Sequence, residues 1–427
     1  MIAASPRNLR TEQYYLLVLA GVLIVAYSFV LHEQLASTPW LAKPHPLWRE
    51  VRDLLDIALQ PSVSIARHQP FFALGAPLAA MLAMICSFVV CTDPVRARQL
   101  LQIVAWSGVI YAIYGFASYL ADPTRLLWRE KEAYLNVITA TFINRNTAAV
   151  YFGSCAIVWL LFLCDSIRLQ LPTGPIYWRN VATHLLRRMA RDNLVASSML
   201  FICLAAMFMT GSRAGAILSL VAMMIAFVAF VYRDLPRRRS LIGVLAIGCL
   251  LSIFLLEVLG AGISSRFTAH GLDDEGRVET YRSTLRMIGD HPWFGTGLGT
   301  FVWSYPAYRS SQITLWGVWD RAHSTPLELA ADLGLPLAGL IVASWFVVLA
   351  VLIHGARNRQ RNKIIPIAAF SIAVLALSHS SIDFSLQIPG YAMVVFSVVG
   401  AGLSQSFSRK KQSLISKTRE LPTKIRL

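Results

Sequence analysis

Three stretches of the 427-residue chain bring together residue types that can do chemistry. The first is Thr210-Gly-Ser-Arg213-Ala-Gly215, an arginine between two glycines with no acidic neighbour in sequence. A planar guanidinium suits phosphate oxygens, and turn amides beside a helix N-terminus add donors. The competing reading is an arginine snorkelling to lipid headgroups. The second stretch is Asp273-Asp-Glu-Gly276-Arg277-Val-Glu279-Thr-Tyr281-Arg282-Ser-Thr-Leu-Arg286, preceded by Arg266. A helix here carries several guanidinium groups, although Glu279 and Arg282 can equally pair on a solvated face. The third is Arg321-Ala-His323-Ser-Thr-Pro-Leu-Glu328-Leu. Histidine is the side chain best suited to proton transfer near neutral pH, and against that stands an ordinary hydrogen-bonded interfacial histidine. Glu257 and Asp383 sit in apolar runs. Carboxylates there are functional candidates by default, with interface solvation as the rival explanation.

Other patterns fall away on spacing. Asp273-Asp274 reads as a solvated turn, and no His/Cys/Asp cluster supports a metal site, so neither metal nor cofactor is expected. Gly295-Thr-Gly297-Leu-Gly299 lacks the spacing, the preceding strand and the βαβ unit of a dinucleotide loop, and reads as a turn behind His291-Pro292. Ser324 has no nucleophile elbow around it. The six cysteines lie in or beside apolar runs and read as small buried hydrophobes, without disulfide or metal spacing.

The elements that must position these residues are membrane helices. The chain is 56% hydrophobic and only 15% charged, with a mean hydropathy of +0.55, which excludes a soluble enzyme and a disordered chain. At roughly 20 apolar residues per span, the candidates are Tyr14–Leu31, Phe71–Cys91, Leu100–Leu120, Thr147–Cys164, Leu194–Thr210, Ala216–Tyr232, Leu241–Ile263, Leu337–His354, Ile364–Phe384 and Tyr391–Ser404. The last is expected to extend toward Ile388 and Phe407. The first is too long for a removed signal peptide and lacks its cleavage site. With a cytoplasmic N-terminus, inner segments hold 24 Lys and Arg against 15 outside, and acidic residues divide 6 to 15. The whole excess of +16 is therefore positive-inside topology, and a nucleic-acid partner is not needed. The expected fold is all-α: one membrane domain over 1–427, a bundle of about ten to twelve spans. Its expected parts are a first periplasmic loop at 32–70 with an interfacial helix over Leu47–Leu59, a large, partly helical periplasmic loop at 264–336 holding Trp293, Trp303, Trp316 and Trp319, and a basic cytoplasmic tail at 405–427 near anionic lipid.

The motifs in this order resemble the O-antigen ligase and polymerase superfamily over roughly residues 135–350. The matching runs are Thr210-Gly-Ser-Arg213-Ala-Gly, Gly276-Arg277…Tyr281, His291-Pro-Trp-Phe-Gly295-Thr-Gly297-Leu-Gly299-Thr-Phe301 and His323-Ser…Leu327-Glu328-Leu…Leu333-Gly334-Leu-Pro336. Thr141-Phe-Ile-Asn144-Arg145-Asn146 is similar to the family's pattern before the fourth span. The resemblance implies a GT-C-like, metal-independent, inverting glycosyltransferase of the bacterial inner membrane, active on its periplasmic side. Its members take glycan from undecaprenyl pyrophosphate. Ligases pass it to a hydroxyl of lipid A–core; polymerases pass it to a lipid-linked glycan. Carried onto this chain, it puts Arg213 and Arg277 on the pyrophosphate and His323 on the acceptor hydroxyl or the diphosphate, with Arg282, Arg266, Asn144 and Asn146 as further substrate-binding candidates. Such chemistry needs cations for the departing diphosphate and a base for the attacking hydroxyl. An anion transporter is a third reading, but neither repeated halves nor broken helices are visible.

Overall fold

A computed structural model describes residues 11–171, 191–234, 275–313, 318–359 and 361–407, with isolated positions at Gly243, Ala246, Gly248 and Leu250. The described helices are α1 (Thr11–Leu35), α2 (Leu47–Leu55), α3 (Gln69–Ala73), α4 (Gly75–Val90), α5 (Pro94–Ala121), α6 (Arg145–Gln170), α7 (Arg191–Met209) and α8 (Arg213–Val231). They continue with α9 (Glu275–Asp290), α10 (Phe301–Ser304), α11 (Thr325–Leu333), α12 (Leu335–Asn358), α13 (Ile364–Ser380) and α14 (Pro389–Gln405). Seven stretches, α1, α3–α4 together, α5, α6, α7, α8 and α12, are long and apolar enough to cross a bilayer, and α13 is a shorter apolar helix.

Central to the bundle is α6, buried from Thr147 to Leu161 almost without break and packed by α5, α7, α8 and α13. Its first half is built of small residues (Ala148, Ala149, Gly153, Ser154, Cys155, Ala156), which let neighbouring backbones approach closely. A side chain at Gly153 would collide with Ser219 of α8, and one at Gly108 of α5 would collide with Cys155. The ends of the bundle differ. At one end, Arg98 pairs with Asp165 at 2.8 Å, and Asp234 takes both Arg168 at 3.6 Å and Lys363 at 3.2 Å. The N-terminus of α6 and the last turns of α5, α7 and α13 lie at the other.

A smaller apolar cluster joins α9, α10 and α11 through Met287, Ile288, Phe301, Tyr305, Ala330 and Ala331. The glycine run locks this cap onto the bundle. Gly295, Gly297 and Gly299 all have positive φ, so the run is a turn, as expected. Thr296 N–H donates to the Ala331 carbonyl at 2.9 Å, and Gly297 N–H to that of Asp332 at 3.1 Å. Gln34 at the end of α1 completes the lock. Its amide donates to the Phe294 and Asp332 carbonyls at 2.7 and 2.8 Å and accepts from Leu298 N–H at 2.9 Å. Burial, with the Glu328 charge adding, pushes the Asp332 carboxyl well up, while Gly299 N–H bonds it at 2.7 Å.

Several expectations need correction. The described chain is mostly helical, as expected, with one short addition: residues 125–126 and 129–130 form a two-stranded antiparallel hairpin, β1 and β2. The interfacial helix stops at Leu55, where Asp56 turns left-handed at φ 49°. The run expected over Ile364–Phe384 ends as a helix at Ser380, so Asp383 lies past the helix end and is buried by protein rather than solvated. The last helix runs from Pro389 and stops at Gln405. Cys91, Cys155 and Cys203 are buried as expected, but Cys86 is exposed. Apart from Gly243, Ala246, Gly248 and Leu250, which are helical, the expected Leu241–Ile263 span falls outside the described residues, as do Glu257, Arg266, Asp273, Asp274, Trp316, Cys249 and the tail beyond Phe407.

His45, in the segment after α1, meets His291 at the end of α9, with Nε2 atoms 3.2 Å apart and stacked rings. Leu47 N–H donates to His45 Nδ1, so His45 carries its proton on Nε2 and donates to His291. Burial first, and the His291 charge second, hold His45 down to about 4; burial also lowers His291. Histidines held neutral in the fold gain protons on unfolding, so this brace weakens as pH falls from about 6.5 toward 4. The thermal midpoint should drop through that window, and a His45→Gln/His291→Gln double variant should flatten the dependence. Gly295→Ala should lower the midpoint at every pH. Its Cβ would run into the Asp332 carbonyl, and its left-handed φ alone costs about 1–2 kcal/mol. Gly289→Ala, in helix and facing open space, should not.

Candidate active site

Four segments converge at the end of the bundle where α6 begins. The first is the α6 N-terminus. Asn144 caps it, its side chain accepting from Asn146 N–H at 2.7 Å and Thr147 N–H at 3.3 Å. Asn144 is therefore occupied with its own helix, whereas Asn146 Nδ2 reaches across to donate to Asp383 Oδ2 at 2.6 Å. The second is the turn after α13. Asp383 is buried there, and its Oδ1 accepts from Phe384 N–H at 2.7 Å.

The third segment is the approach to α11. His323 holds a left-handed backbone at φ 52°, a conformation uncommon outside glycine. Two contacts hold it: Tyr281 on α9 donates its hydroxyl to the His323 carbonyl at 2.9 Å, and Thr325 donates to that of Asp383 at 3.3 Å. Its Nδ1 lies 3.8 Å from Asp383 Oδ1, within ion-pair reach but longer than a hydrogen bond. Trp319 and Phe384 stand edge-on to the ring at 5.6 and 5.2 Å. The fourth segment is α9 itself, whose Arg277 donates to the Ile382 carbonyl at 3.2 Å, one residue from Asp383. Burial would raise the Asp383 carboxyl, but His323, His379, Phe384 N–H and Arg277 outweigh it and hold it below its ordinary value.

Arg213 opens α8 behind the cap of Ser212, whose Oγ accepts from Gly215 N–H at 3.2 Å. Gly215 lies against Ala149, so the first turns of α8 and α6 are neighbours, and half-buried Arg213 stands at the level of Asn146. Arg282 is not brought to this cluster: five residues beyond Arg277, it sits on another face of α9, largely exposed and paired with Glu279. The sequence reading passed over Arg145 and Tyr134. The Arg145 guanidinium lies over the Tyr134 ring at 5.1 Å from its centroid, and Tyr134 is within electrostatic reach of Asp383 and Arg277. Arg145 sits between the two asparagines that were picked out, so its signal was present. Tyr134 had none, because its place depends on the loop after β2.

Arg321 and Glu328 hold the His323 approach. Arg321 Nη1 bonds Glu328 Oε1 at 3.0 Å and Gln387 at 2.9 Å, while Ala322 N–H donates to Glu328 Oε2 at 2.8 Å. Removing one partner of a buried ion pair costs about 3–5 kcal/mol. Glu328→Ala should therefore lower the unfolding midpoint strongly. Arg321→Ala in the same chain should add little, and an additive pair would show that the two do not act together.

Residues 198–342 match the family described as O-antigen ligase, a stretch that includes Arg213, Arg277, Arg282 and His323 but neither Asn146 nor Asp383. No curated protein matches the chain. With its apolar helices, the chain is a membrane protein, and the stretch 198–342 is similar to the O-antigen ligase family.

Proposed function

We propose that the chain is an O-antigen ligase-type glycosyltransferase of the bacterial inner membrane. On this reading one membrane domain spans 1–427, with both termini cytoplasmic and the site end of the bundle in the periplasm; the density of Lys and Arg on the segments at the opposite end supports that orientation. The donor is a polysaccharide on undecaprenyl pyrophosphate, and the acceptor is a sugar hydroxyl of lipid A–core. The observation that carries the reading is the meeting of His323, Asp383, Asn146 and Arg277 at the end where α8 presents Arg213.

The roles follow from the atoms. With Nδ1 turned to Asp383, His323 offers Nε2 to the acceptor hydroxyl. As the hydroxyl oxygen attacks the anomeric carbon, its proton passes to Nε2. The bond from that carbon to the diphosphate oxygen breaks, and the electron pair leaves with the diphosphate. Attack opposite the leaving group inverts the centre. Arg213 and Arg277 balance the charge that develops on the diphosphate, the kind of preorganised electrostatic contribution that is commonly the largest in catalysis. No metal is required for any of these steps. Asp383 acts through His323, holding the imidazole with Nδ1–H inward, and Asn146 fixes that carboxylate. Trp319, beside the imidazole, presents a face on which a sugar ring can stack.

In purified enzyme supplied with lipid-linked polysaccharide and lipid A–core, His323→Ala, Arg213→Ala and Arg277→Ala should each abolish transfer while the protein still inserts. Asp383→Asn should cost roughly 10²–10⁴-fold in kcat, the range a general base contributes, with little change in KM. Arg282→Ala should stay close to wild type. Unchanged transfer in the His323 and Arg213 variants would overturn the proposal. A deletion strain that leaves single repeats on the core, instead of accumulating long lipid-linked chains, would assign the protein as a polymerase using the same donor.

A further inference from the structure

The chain does not leave the bundle at the end of α5. Asp122 turns it, accepting from Thr124 N–H at 2.9 Å, and the hairpin then runs back down the outside of the helix. Ser118 Oγ reaches the Arg125 carbonyl at 3.4 Å, and Leu127 N–H donates to the Tyr114 hydroxyl at 2.8 Å. Tyr114 precedes Ala121 by seven residues. At about 1.5 Å per residue, the hairpin tip has descended about 10 Å from the helix end.

That depth can be compared with the apolar face of α5. Ile103, Trp106, Ile110, Ile113, Ala117 and Leu120, at alternating three- and four-residue spacings, are all exposed, and Leu120 is 83% exposed. An exposed apolar stripe on a spanning helix faces lipid, so the lipid layer, headgroups included, reaches about as far as Leu120, and Tyr114 lies about 9 Å below that level, near the acyl–headgroup boundary. The tip is therefore at membrane depth. It carries Leu127 and Trp128, 50% and 81% exposed, between Arg125 and Arg129.

Backbone at that depth survives only if its polar groups are answered. Part of this backbone is answered within the protein: the N–H of Leu127, at the left-handed tip, by the Tyr114 hydroxyl, the Arg125 carbonyl by Ser118, and Leu126 and Arg129 by each other; the outer edges are left to the polar headgroup layer. Tryptophan favours the acyl–headgroup boundary, and flanking arginines extend to phosphates. We propose that Arg125–Glu130 is a membrane anchor, with Leu127 and Trp128 embedded in phospholipid at that boundary and Arg125 and Arg129 on its headgroups. The loop that follows ties the anchor to the site: Lys131 Nζ donates to the Val137 carbonyl at 3.2 Å, and Tyr134 lies beneath Arg145. The anchor sets the height of that loop over Asp383.

The full chain, spin-labelled at Trp128→Cys and reconstituted in phospholipid vesicles, tests this without any turnover, so its result is independent of the proposed reaction. Labelling of the unsubstituted chain is subtracted as background. Collision with oxygen, which partitions into lipid, is compared with collision with a water-soluble nickel chelate. The oxygen-to-chelate ratio should be several-fold higher at 128 than in a Glu132→Cys chain, whose exposed position lies back toward the loop. Equal ratios would overturn the proposal. Shielding from both reagents would do so too, since it would mean that protein covers the tip. Leu127→Cys gives the same reading if the tryptophan variant does not fold.

Discussion

A carboxylate buried in protein has to be answered, and the answers to Asp383 come from four separated stretches of chain. Asn146 donates from the start of α6, Phe384 N–H from the turn itself, His323 turns its Nδ1 to the carboxylate from the approach to α11, and Arg277 brings a positive charge from α9. An uncompensated ion in such a place costs several kcal/mol. The packing of α6 against α13, the left-handed backbone at His323 and the seat of α9 are thus parts of one solution. If any one shifts, the carboxylate loses a partner that water cannot replace.

The frame was legible where it is repetitive. Apolar runs marked the membrane helices because hydrocarbon imposes a length, and most helix boundaries fall within a few residues of the expected runs. The turn before the helix starting at Arg213, for example, was readable from Gly211, while the Ser212 cap and the start three residues ahead of Ala216 emerge only from the structure. The hairpin was not legible, since two-residue strands leave no alternation to detect, and its position comes from tertiary bonds to Ser118 and Tyr114. Asp383 was visible as a carboxylate in an apolar run, but nothing local showed that its helix would stop at Ser380 and leave it facing His323.

The same holds for the arginines. Arg277 and Arg282 differ little as sequence, and only the orientation of α9 separates them, one toward Ile382 and the other outward to Glu279. That orientation is set at a distance, by Met287 and Ile288 in the cap cluster and by Tyr281 reaching the His323 carbonyl. The O-antigen ligase match covers α8, α9 and α11, while Asn146 and Asp383, which complete the cluster, lie outside it. The cluster is therefore completed by residues that lie outside the matched stretch.

The direction in which helices begin has a consequence of its own. α6 behind Asn144, α8 behind Ser212 and α11 behind Ser324 all start around the cluster. Each N-terminus behaves like about half a positive elementary charge. The backbone therefore biases this end of the molecule toward anions independently of any side chain, and that contribution neither titrates nor disappears on mutation.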